Sequence, residues 1–262
     1  MWSYQHENFI VHQLPVLRDN YIYMIEAKHS DAMIVIDPAL AEATRETCIK
    51  LGKPPTHIMN THHHWDHTDG NEELKKQFNC RIIGARSDAS RIPGIDIEVS
   101  ESRPPRINGL KVEVLEVAGH TSGHIAYLID DALFCGDTLF GAGCGRLFEG
   151  TPAQMHHSLN KLATLPEMTK IYCAHEYTMA NLAFAHAIDP DNTELDYRII
   201  ADKKKRDSNL PTIPSSIGVE KATNPFLRPS NQFFCRTYAG QHNITEDALS
   251  VFTHIRATKD HF

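Results

Sequence analysis

The chain has 262 residues, of which 41% are hydrophobic and 23% are charged, the usual balance of a globular protein with a sizeable core. Its formal net charge of −7 argues against a nucleic acid as the main partner, because phosphate binding normally needs a net basic surface. A soluble protein is expected, since no segment approaches the roughly 18 apolar residues of a membrane helix and the first residues do not resemble a signal peptide.

The six cysteines are dispersed along the chain and form no CxxC pair. A disulfide framework is not expected at this size, so the pattern indicates free thiols that act as small hydrophobic residues in a reducing cytoplasm. A catalytic thiol at Cys135 or Cys144 is the alternative interpretation.

Short apolar runs that end at turn residues predict strands through the first two thirds of the chain. They comprise residues 21–26, 33–37 and 56–60, with further strands around Ile83, Val114, Ala126 and Tyr172. Helices are predicted at 71–78, with Asn71 as the N-cap, and at 151–165, where Thr151 precedes a proline in the first turn. Strands mixed with helices indicate an α/β domain in which helices cover the sheets.

The pattern becomes helical from about residue 176, where proline-rich linkers separate the apolar segments. Helical periodicity is present at 181–188, 194–206 and 246–262. We therefore predict two domains, a strand-rich domain over residues 1–175 and a small α-helical domain over residues 176–262.

The segment THHHWDHTDG, residues 61–70, contains four histidines and two aspartates in ten positions. His62 and His64 are two residues apart just beyond a predicted strand, so extended backbone would point both to one side and His63 to the other. Asp66 and His67 follow where the chain turns towards the next helix. One tetrahedral zinc needs only three protein ligands and a water, so four donors within six residues leave open one ion or two. Imidazole and carboxylate donors with open positions favour a catalytic site. Adventitious binding and a structural zinc, which normally uses cysteine, are the alternatives.

Three later segments each place one further donor after a predicted strand. His120 lies in AGHTSGH, Asp137 in LFCGDTLF and His175 in YCAHEYT. Donors at separate strand ends are typical of an active site at a sheet edge, and a carboxylate such as Asp137 can bridge two cations. His124 is interpreted instead as a loop residue or a neighbour of the ligands.

These motifs resemble the metallo-β-lactamase superfamily, whose H-x-H-x-D-H signature matches THHHWDH, and GH at 119–120, GD at 136–137 and His175 follow in order. The chain resembles more narrowly the hydroxyacylglutathione hydrolase (glyoxalase II) family, through THHHWDHTDGN, GHTSGHI, GDTLFGAGCGRLFEGT, HEYT, NPFLR and RATKD. The resemblance implies an αββα four-layer sandwich followed by a small C-terminal α-helical domain that recognises glutathione.

The resemblance also implies two divalent metal ions, with zinc expected first and iron or manganese as alternatives that the mixed donor set also suits. One ion would be held by His62, His64 and His120, the other by Asp66, His67 and His175, with Asp137 bridging them. The implied reaction is hydrolysis of S-D-lactoylglutathione to D-lactate and glutathione, a step of methylglyoxal detoxification. A hydroxide bridging the ions would attack the thioester, with Asp66 orienting it as the catalytic residue.

The implied substrate-binding residues surround the anionic glutathione moiety. They are Arg146, Phe148, Tyr177, Asn181, Arg256 and Lys259. Arg256 and Lys259 are three residues apart on the last predicted helix and would share a face towards the glycine carboxylate. Many family members have lysine and tyrosine where this chain has Arg146 and Phe148; arginine keeps the charge, whereas phenylalanine cannot donate a hydroxyl hydrogen bond. The glutathione thioester is the only expected partner, with no nucleic acid and no membrane. The protein is expected to be a monomer.

Other enzymes share the superfamily fold and remain alternatives: a lactonase, a persulfide dioxygenase, a β-lactamase or a phosphodiesterase. A persulfide dioxygenase would use one iron, so the complete second set of Asp66, His67 and His175 favours the hydrolase. A metal-binding or oxygen-sensing redox protein without hydrolytic activity is the alternative from another class.

Overall fold

The computed structural model describes residues 1–262, which form two compact units. The first unit comprises residues 1–116 and 122–136, and the second comprises residues 117–121 and 137–262. Residues 137–175 therefore belong to the same compact unit as the C-terminal helices. The domain boundary expected at residue 175 stays a prediction. None of the helices combines the length and the apolarity needed to cross a membrane.

The first unit contains a seven-stranded sheet whose strands follow chain order from β1 to β7. Its strands are β1 (Trp2–Gln5), β2 (Phe9–Val16), β3 (Asn20–Ala27), β4 (Met33–Ile36), β5 (His57–Met59), β6 (Arg81–Ala85) and β7 (Ile97–Val99). Strands β1 to β4 pair antiparallel, and β4 to β7 pair parallel. Because β4, β5 and β6 run parallel, their carboxyl ends lie at the same edge of the sheet, and each connection between them must cross back to the opposite edge.

Helices form two of those crossovers in the first unit. α1 (Ala41–Leu51) connects β4 to β5, and α2 (Trp65–Thr68) and α3 (Asn71–Phe78) connect β5 to β6. The unit also contains β8 (Val112–Glu116), β9 (Ile125–Ile129) and β10 (Ala132–Gly136), which pair antiparallel in that order. The core of the seven-stranded sheet is apolar, with Met24, Val35 and Ile58 fully buried.

The second unit consists mainly of helices. They are α4 (Pro152–Ala163), α5 (Thr178–Ile188), α6 (Thr193–Asp207), α7 (Ile217–Thr223), α8 (Gln232–His242) and α9 (Ala248–Lys259). A short hairpin of β11 (Leu139–Phe140) and β12 (Gly143–Cys144) precedes them, and β13 (Lys170–Cys173) pairs with β14 (Ser215–Ser216). Within this unit α4 packs against α9, and α5 packs against α6.

The strands and helices predicted from the sequence are confirmed, apart from one cap. Thr151 caps α4 and forms a capping box with Gln154, as its position predicts. The N-cap of α3, by contrast, is Gly70, and Asn71 is the first helical residue. A side chain at position 70 would overlap the backbone oxygen of Pro38, which accepts a hydrogen bond from the Gly70 amide at 2.8 Å. The prediction of Asn71 as N-cap was therefore wrong, because close backbone approach fixed glycine at the cap.

Candidate metal centre and substrate-binding loops

The turn after β5 carries four predicted metal ligands in the first unit. β5 ends at Met59, and α2 begins at Trp65 with His64 at its N-cap. His62 and His67 are buried, whereas His64 and Asp66 are partly exposed. Each of the four belongs to a group of side chains whose ligand atoms lie within 4.8 Å of one another and could hold a metal ion.

The ring nitrogens in this turn converge. Nε2 of His62 lies 3.0 Å from Nδ1 of His64, and Nε2 of His67 lies 3.7 Å from Oδ2 of Asp66. The rings of His62 and His67 have centroids 4.1 Å apart. His63 points elsewhere, with its Nδ1 3.0 Å from Oδ2 of the buried Asp88. Three imidazoles and a carboxylate from six consecutive residues thus share one small space.

Asp37 orients this turn, and sequence reasoning missed it. Its carboxylate accepts hydrogen bonds from the backbone amide and the hydroxyl of Thr61 at 2.8 and 2.7 Å. Its Oδ2 also lies 3.0 Å from Nδ1 of His67. Because a carboxylate only accepts, Nδ1 of His67 carries the proton and the lone pair lies on Nε2, the arrangement that metal-binding histidines use. Parallel pairing of β4 with β5 was the available signal, since it brings Asp37 to the same sheet edge as the cluster.

Two further neighbours fix the other donors of the first unit. Asn20, at the start of β3, donates from Nδ2 to Oδ2 of Asp66 at 3.0 Å. The ring of His124 stacks on that of His62 with a centroid distance of 4.6 Å and an angle of 20°. His124 is thus a neighbour of a predicted ligand, in the role that the sequence suggested for it.

The second unit brings together His120, Asp137 and His175. Oδ2 of Asp137 lies 3.4 Å from Nε2 of His120, and Oδ1 lies 3.3 Å from Nε2 of His175. All three side chains are buried and belong to groups that could hold a metal ion. Each oxygen of one carboxylate therefore faces a different imidazole, which suits a carboxylate shared between two cations.

The loop after β12 places Arg146 and Phe148 beside His120. The backbone oxygen of Arg146 lies 2.8 Å from Nδ1 of His120, so that nitrogen carries the proton and the lone pair lies on Nε2. The exposed guanidinium of Arg146 lies over the ring of Phe148, with its Cζ 4.9 Å from the centroid. The Phe148 ring is 57% exposed, and its centroid is 5.1 Å from that of His120.

Tyr177 and Asn181, at the start of α5, differ in exposure. The ring of Tyr177 is 38% exposed and stacks on His175 at 4.8 Å, with an angle of 2° between the planes. Asn181 is buried, and its Nδ2 donates to the backbone oxygen of Gly141 at 3.0 Å. Tyr177 thus presents a hydroxyl near a predicted ligand, whereas the Asn181 amide is already engaged with the backbone.

The two cations of α9 also differ. The guanidinium of Arg256 is buried and donates to the backbone oxygen of Cys144 at 3.2 Å and to Oδ1 of Asp260 at 2.8 Å. Lys259 is partly buried, with its Nζ 4.8 Å from the centroid of Phe184. Burial, and after it the nearby Arg256, lowers the pKa of the Lys259 ammonium below its usual range.

The donor chemistry of both sets fits divalent transition metals. Neutral imidazole nitrogens and carboxylate oxygens suit zinc, iron and manganese alike. The hydrogen bonds that His67 and His120 donate to the Asp37 carboxylate and the Arg146 carbonyl leave Nε2 of each ring available for a metal ion. A catalytic thiol at Cys135 or Cys144 is disfavoured because both side chains are buried. Burial raises the pKa of Cys48 to about 11 and raises that of Cys144 as well, which keeps these thiols protonated.

Known proteins resemble the chain along nearly its whole length. Residues 16–175 match the model of the metallo-beta-lactamase superfamily, and residues 176–262 match that of the hydroxyacylglutathione hydrolase C-terminus. A hydroxyacylglutathione hydrolase from Rhodospirillum rubrum is 47% identical over 254 residues, covering 96% of this chain and 98% of the relative. One from Methylococcus capsulatus is 45% identical over 252 residues, covering 95% of this chain and 97% of the relative.

Solved structures share the fold at lower identity. The crystal structure of ETHE1 from Myxococcus xanthus aligns with a TM-score of 0.66 at 24% identity, over 94% of this chain and 98% of that chain. Together with the family models, this likeness confirms the predicted fold class, a strand-rich α/β region followed by a helical C-terminal region.

Proposed function

Because the chain belongs to the hydroxyacylglutathione hydrolase family of the metallo-β-lactamase superfamily, we propose that it hydrolyses 2-hydroxyacyl thioesters of glutathione. The preferred substrate is S-D-lactoylglutathione, and the products are D-lactate and glutathione, as in methylglyoxal detoxification. The proposal is carried by one combination: buried imidazole and carboxylate donors in both units, together with a C-terminal region that matches the glutathione hydrolase model.

The proposed metal ligands are the seven side chains singled out in the sequence. His62, His64 and His120 would hold one ion, Asp66, His67 and His175 would hold the other, and Asp137 would be a ligand of both. Bound divalent ions would generate a nucleophile from water at neutral pH and polarise the thioester carbonyl. Zinc is the first expectation, with iron and manganese as alternatives.

Protein side chains would orient the attacking water and the histidine rings that bind the metal ions. Asp66, whose Oδ2 accepts from Asn20, orients the attacking water towards the carbonyl carbon. No serine or cysteine nucleophile is needed, and the departing glutathione thiolate is a good leaving group. Asp37 keeps His67 in the tautomer that ligation requires, and the Arg146 carbonyl does the same for His120.

Glutathione carries two carboxylates, so its binding site needs cations. Arg146 and Lys259 are the proposed partners, since both carry their charge on side chains that are not fully buried. Arg256 contributes its charge from a buried position beside Lys259, and Asn181 acts through the Gly141 backbone that it contacts. Tyr177 supplies a hydroxyl, and Phe148 supplies an apolar contact without a donor.

We extend the proposal to a monomeric enzyme in the cytoplasm. Six buried free cysteines support a reducing compartment, because secreted proteins tend to pair their thiols. Light scattering of the purified protein tests the monomer, and a dimer mass would reject it.

A panel of substrates tests the proposed function directly. The metal-loaded protein should hydrolyse S-D-lactoylglutathione far faster than the same acyl group on a thiol that lacks the glutamyl and glycyl residues. It should act weakly or not at all on a lactone, a β-lactam, a phosphodiester or glutathione persulfide. Turnover of one of those alternatives in preference to the glutathione thioester would reject the proposal.

A further inference from the structure

The hairpin formed by β11 and β12, residues 139–144, lies between two residues of the proposed site. It begins two residues after Asp137, and Arg146 lies two residues after its end. Its two strands pair Leu139 with Cys144 and Phe140 with Gly143. At its tip Ala142 has a φ of 53°, a left-handed conformation that side-chain-bearing residues adopt only with support from their surroundings.

Side chains of the C-terminal helical region bind the backbone carbonyls of this hairpin. Nδ2 of Asn224 donates to the oxygen of Gly143 at 2.9 Å and to that of Phe140 at 3.3 Å. Asn181 and Arg256 donate to the oxygens of Gly141 and Cys144 in the same way. Four of the six hairpin carbonyls therefore accept hydrogen bonds from side chains that lie far along the chain.

Glu220 binds the backbone amide of Ala142, the residue with the left-handed conformation at the tip of the hairpin. Its Oε2 accepts from the backbone amide of Ala142 at 2.8 Å and from Nδ2 of Asn224 at 3.1 Å. Its Oε1 accepts from Arg198 at 2.6 Å and from Ser215 at 2.5 Å. Glu220 and Asn224 are both fully buried, and Arg198 neutralises the carboxylate. A buried charge that is paired and fully hydrogen-bonded keeps one geometry, because breaking any contact leaves a group without compensation.

The hairpin in turn fixes the backbone on both of its sides. The Gly145 amide donates to the oxygen of Thr138 at 3.2 Å. A side chain at position 145 would overlap the backbone oxygen of Asp137 and come within 3.2 Å of the Cβ of His120. The segment that leaves the hairpin is thus packed directly against the residue whose carboxylate faces His120 and His175. Because of this contact, we expect a shift of the hairpin to displace Asp137 as well.

We propose that Glu220 and Asn224 are positioning residues that clamp the 139–144 hairpin and thereby place the Asp137 carboxylate and the Arg146 loop. The inference rests on the proposed function for the roles of Asp137 and Arg146. It gives the helical region a second task besides glutathione binding, because loss of the clamp weakens metal binding as well as turnover.

The substitution Asn224→Asp tests the clamp with little change of shape. It keeps the oxygen that accepts from the Phe226 amide at 3.0 Å. It replaces the donor with a carboxylate oxygen that repels the carbonyl oxygens of Gly143 and Phe140 and Oε2 of Glu220. The matched control is Asp202→Asn, which weakens the Arg198 end of the same buried network, 3.3 Å from Nε of Arg198, without touching the hairpin. Metal dissociation constants are measured by chelator competition at a temperature far below the midpoint of unfolding of both variants.

Loss of a buried hydrogen bond of this kind should weaken metal binding by about tenfold or more in Asn224→Asp. Asp202→Asn should bind metal within about twofold of the starting protein even when its melting temperature falls equally. Equal metal affinities in the two variants would overturn the clamp and leave the network a packing feature. Should Asn224→Asp fail to fold, Glu220→Gln replaces it, with the same expected loss.

Hydrogen exchange separates failure of the clamp from failure of the proposed function. The Ala142 amide should exchange slowly in the unsubstituted holoprotein and at least about tenfold faster in Asn224→Asp, but not in Asp202→Asn. Slow exchange in a protein without thioesterase activity would reject the proposed function while supporting the clamp's contacts. Rapid exchange in the active protein would overturn the clamp alone.

Discussion

The two units present their metal-ligand donors in different ways. In the first unit, four donors occupy residues 62–67 of one turn, and Asp37 and Asn20 hold them through contacts close to the sheet edge. In the second unit, three donors come from loops between residues 120 and 175, and helices as distant as α7 and α9 hold the hairpin that follows Asp137. The first set is therefore a local feature, whereas the second depends on packing of the whole unit.

The largest expected effect tests whether both sets belong to one site. Asp66→Ala in the first unit and His120→Ala in the second should each lower kcat by more than about 100-fold, since loss of even a ligand's hydrogen-bond partner costs about 10- to 100-fold. Steady-state kinetics with S-D-lactoylglutathione provides the measurement, with circular dichroism as the control for folding. If either variant folds and turns over substrate at the normal rate, the donors of the unit that contains the substituted residue do not take part in the reaction.

Asp37→Asn should produce the next largest effect and sharpens the account of the first unit. Asparagine has a single acceptor oxygen. With that oxygen at the Oδ1 position, the bonds from the Thr61 hydroxyl and from Nδ1 of His67 are lost; with it at the Oδ2 position, the NH2 group opposes the Thr61 backbone amide, so the turn is disturbed either way. Metal affinity should fall by about 10- to 100-fold. Ser3→Ala is the control, because Ser3 also bonds a histidine ring, that of His12, away from the cluster. An unchanged metal dissociation constant in Asp37→Asn would show that the turn is ordered by its backbone alone.

Lys259 allows a pH test of glutathione binding in the second unit. Lys259→Ala should raise KM by about tenfold or more with little change in kcat, because a charge-assisted hydrogen bond is lost. Burial lowers the pKa of Lys259, so the cation begins to lose its proton at a lower pH than ordinary lysine, and KM should rise with alkaline pH. Lys259→Arg stays charged and should flatten that rise. A rise in KM that persists unchanged in Lys259→Arg would exclude Lys259 as its source.

Phe148→Tyr should have the smallest effect. The ring is more than half exposed beside Arg146 and His120, so a hydroxyl added at its edge can reach substrate without burying a polar group. One new hydrogen bond should lower KM by about two- to tenfold at constant kcat. A higher KM would instead show that the substrate packs against the apolar edge of this ring.

The same contrast between units explains what the sequence could predict. The donors at 62–67 are visible as a motif, and local signals such as the Thr151 capping box predict helix ends correctly. Helix α1, which contains two threonines and a cysteine on its buried side, has no clear apolar periodicity and was not predicted. Asp37 is a single carboxylate after a strand, and only parallel pairing of β4 with β5 reveals its role.

The hairpin clamp was beyond sequence reasoning for a different physical reason. Glu220 lies 78 residues after Ala142, and Asn224 lies 81 residues after Gly143. A glutamate on a helix normally indicates a solvated face, so burial and pairing with Arg198 become visible only when the second unit is folded. The resemblance indicated Arg256 as a substrate ligand, whereas its contact with the Cys144 carbonyl adds a role in holding the hairpin.

A crystal structure of the metal-loaded protein, with anomalous scattering measured at the metal absorption edge, tests the central claim most directly. The account predicts two ions per chain, one bound by His62, His64 and His120 and the other by Asp66, His67 and His175, with the Asp137 carboxylate bound to both. A single ion, or ions held without Asp137, would contradict it.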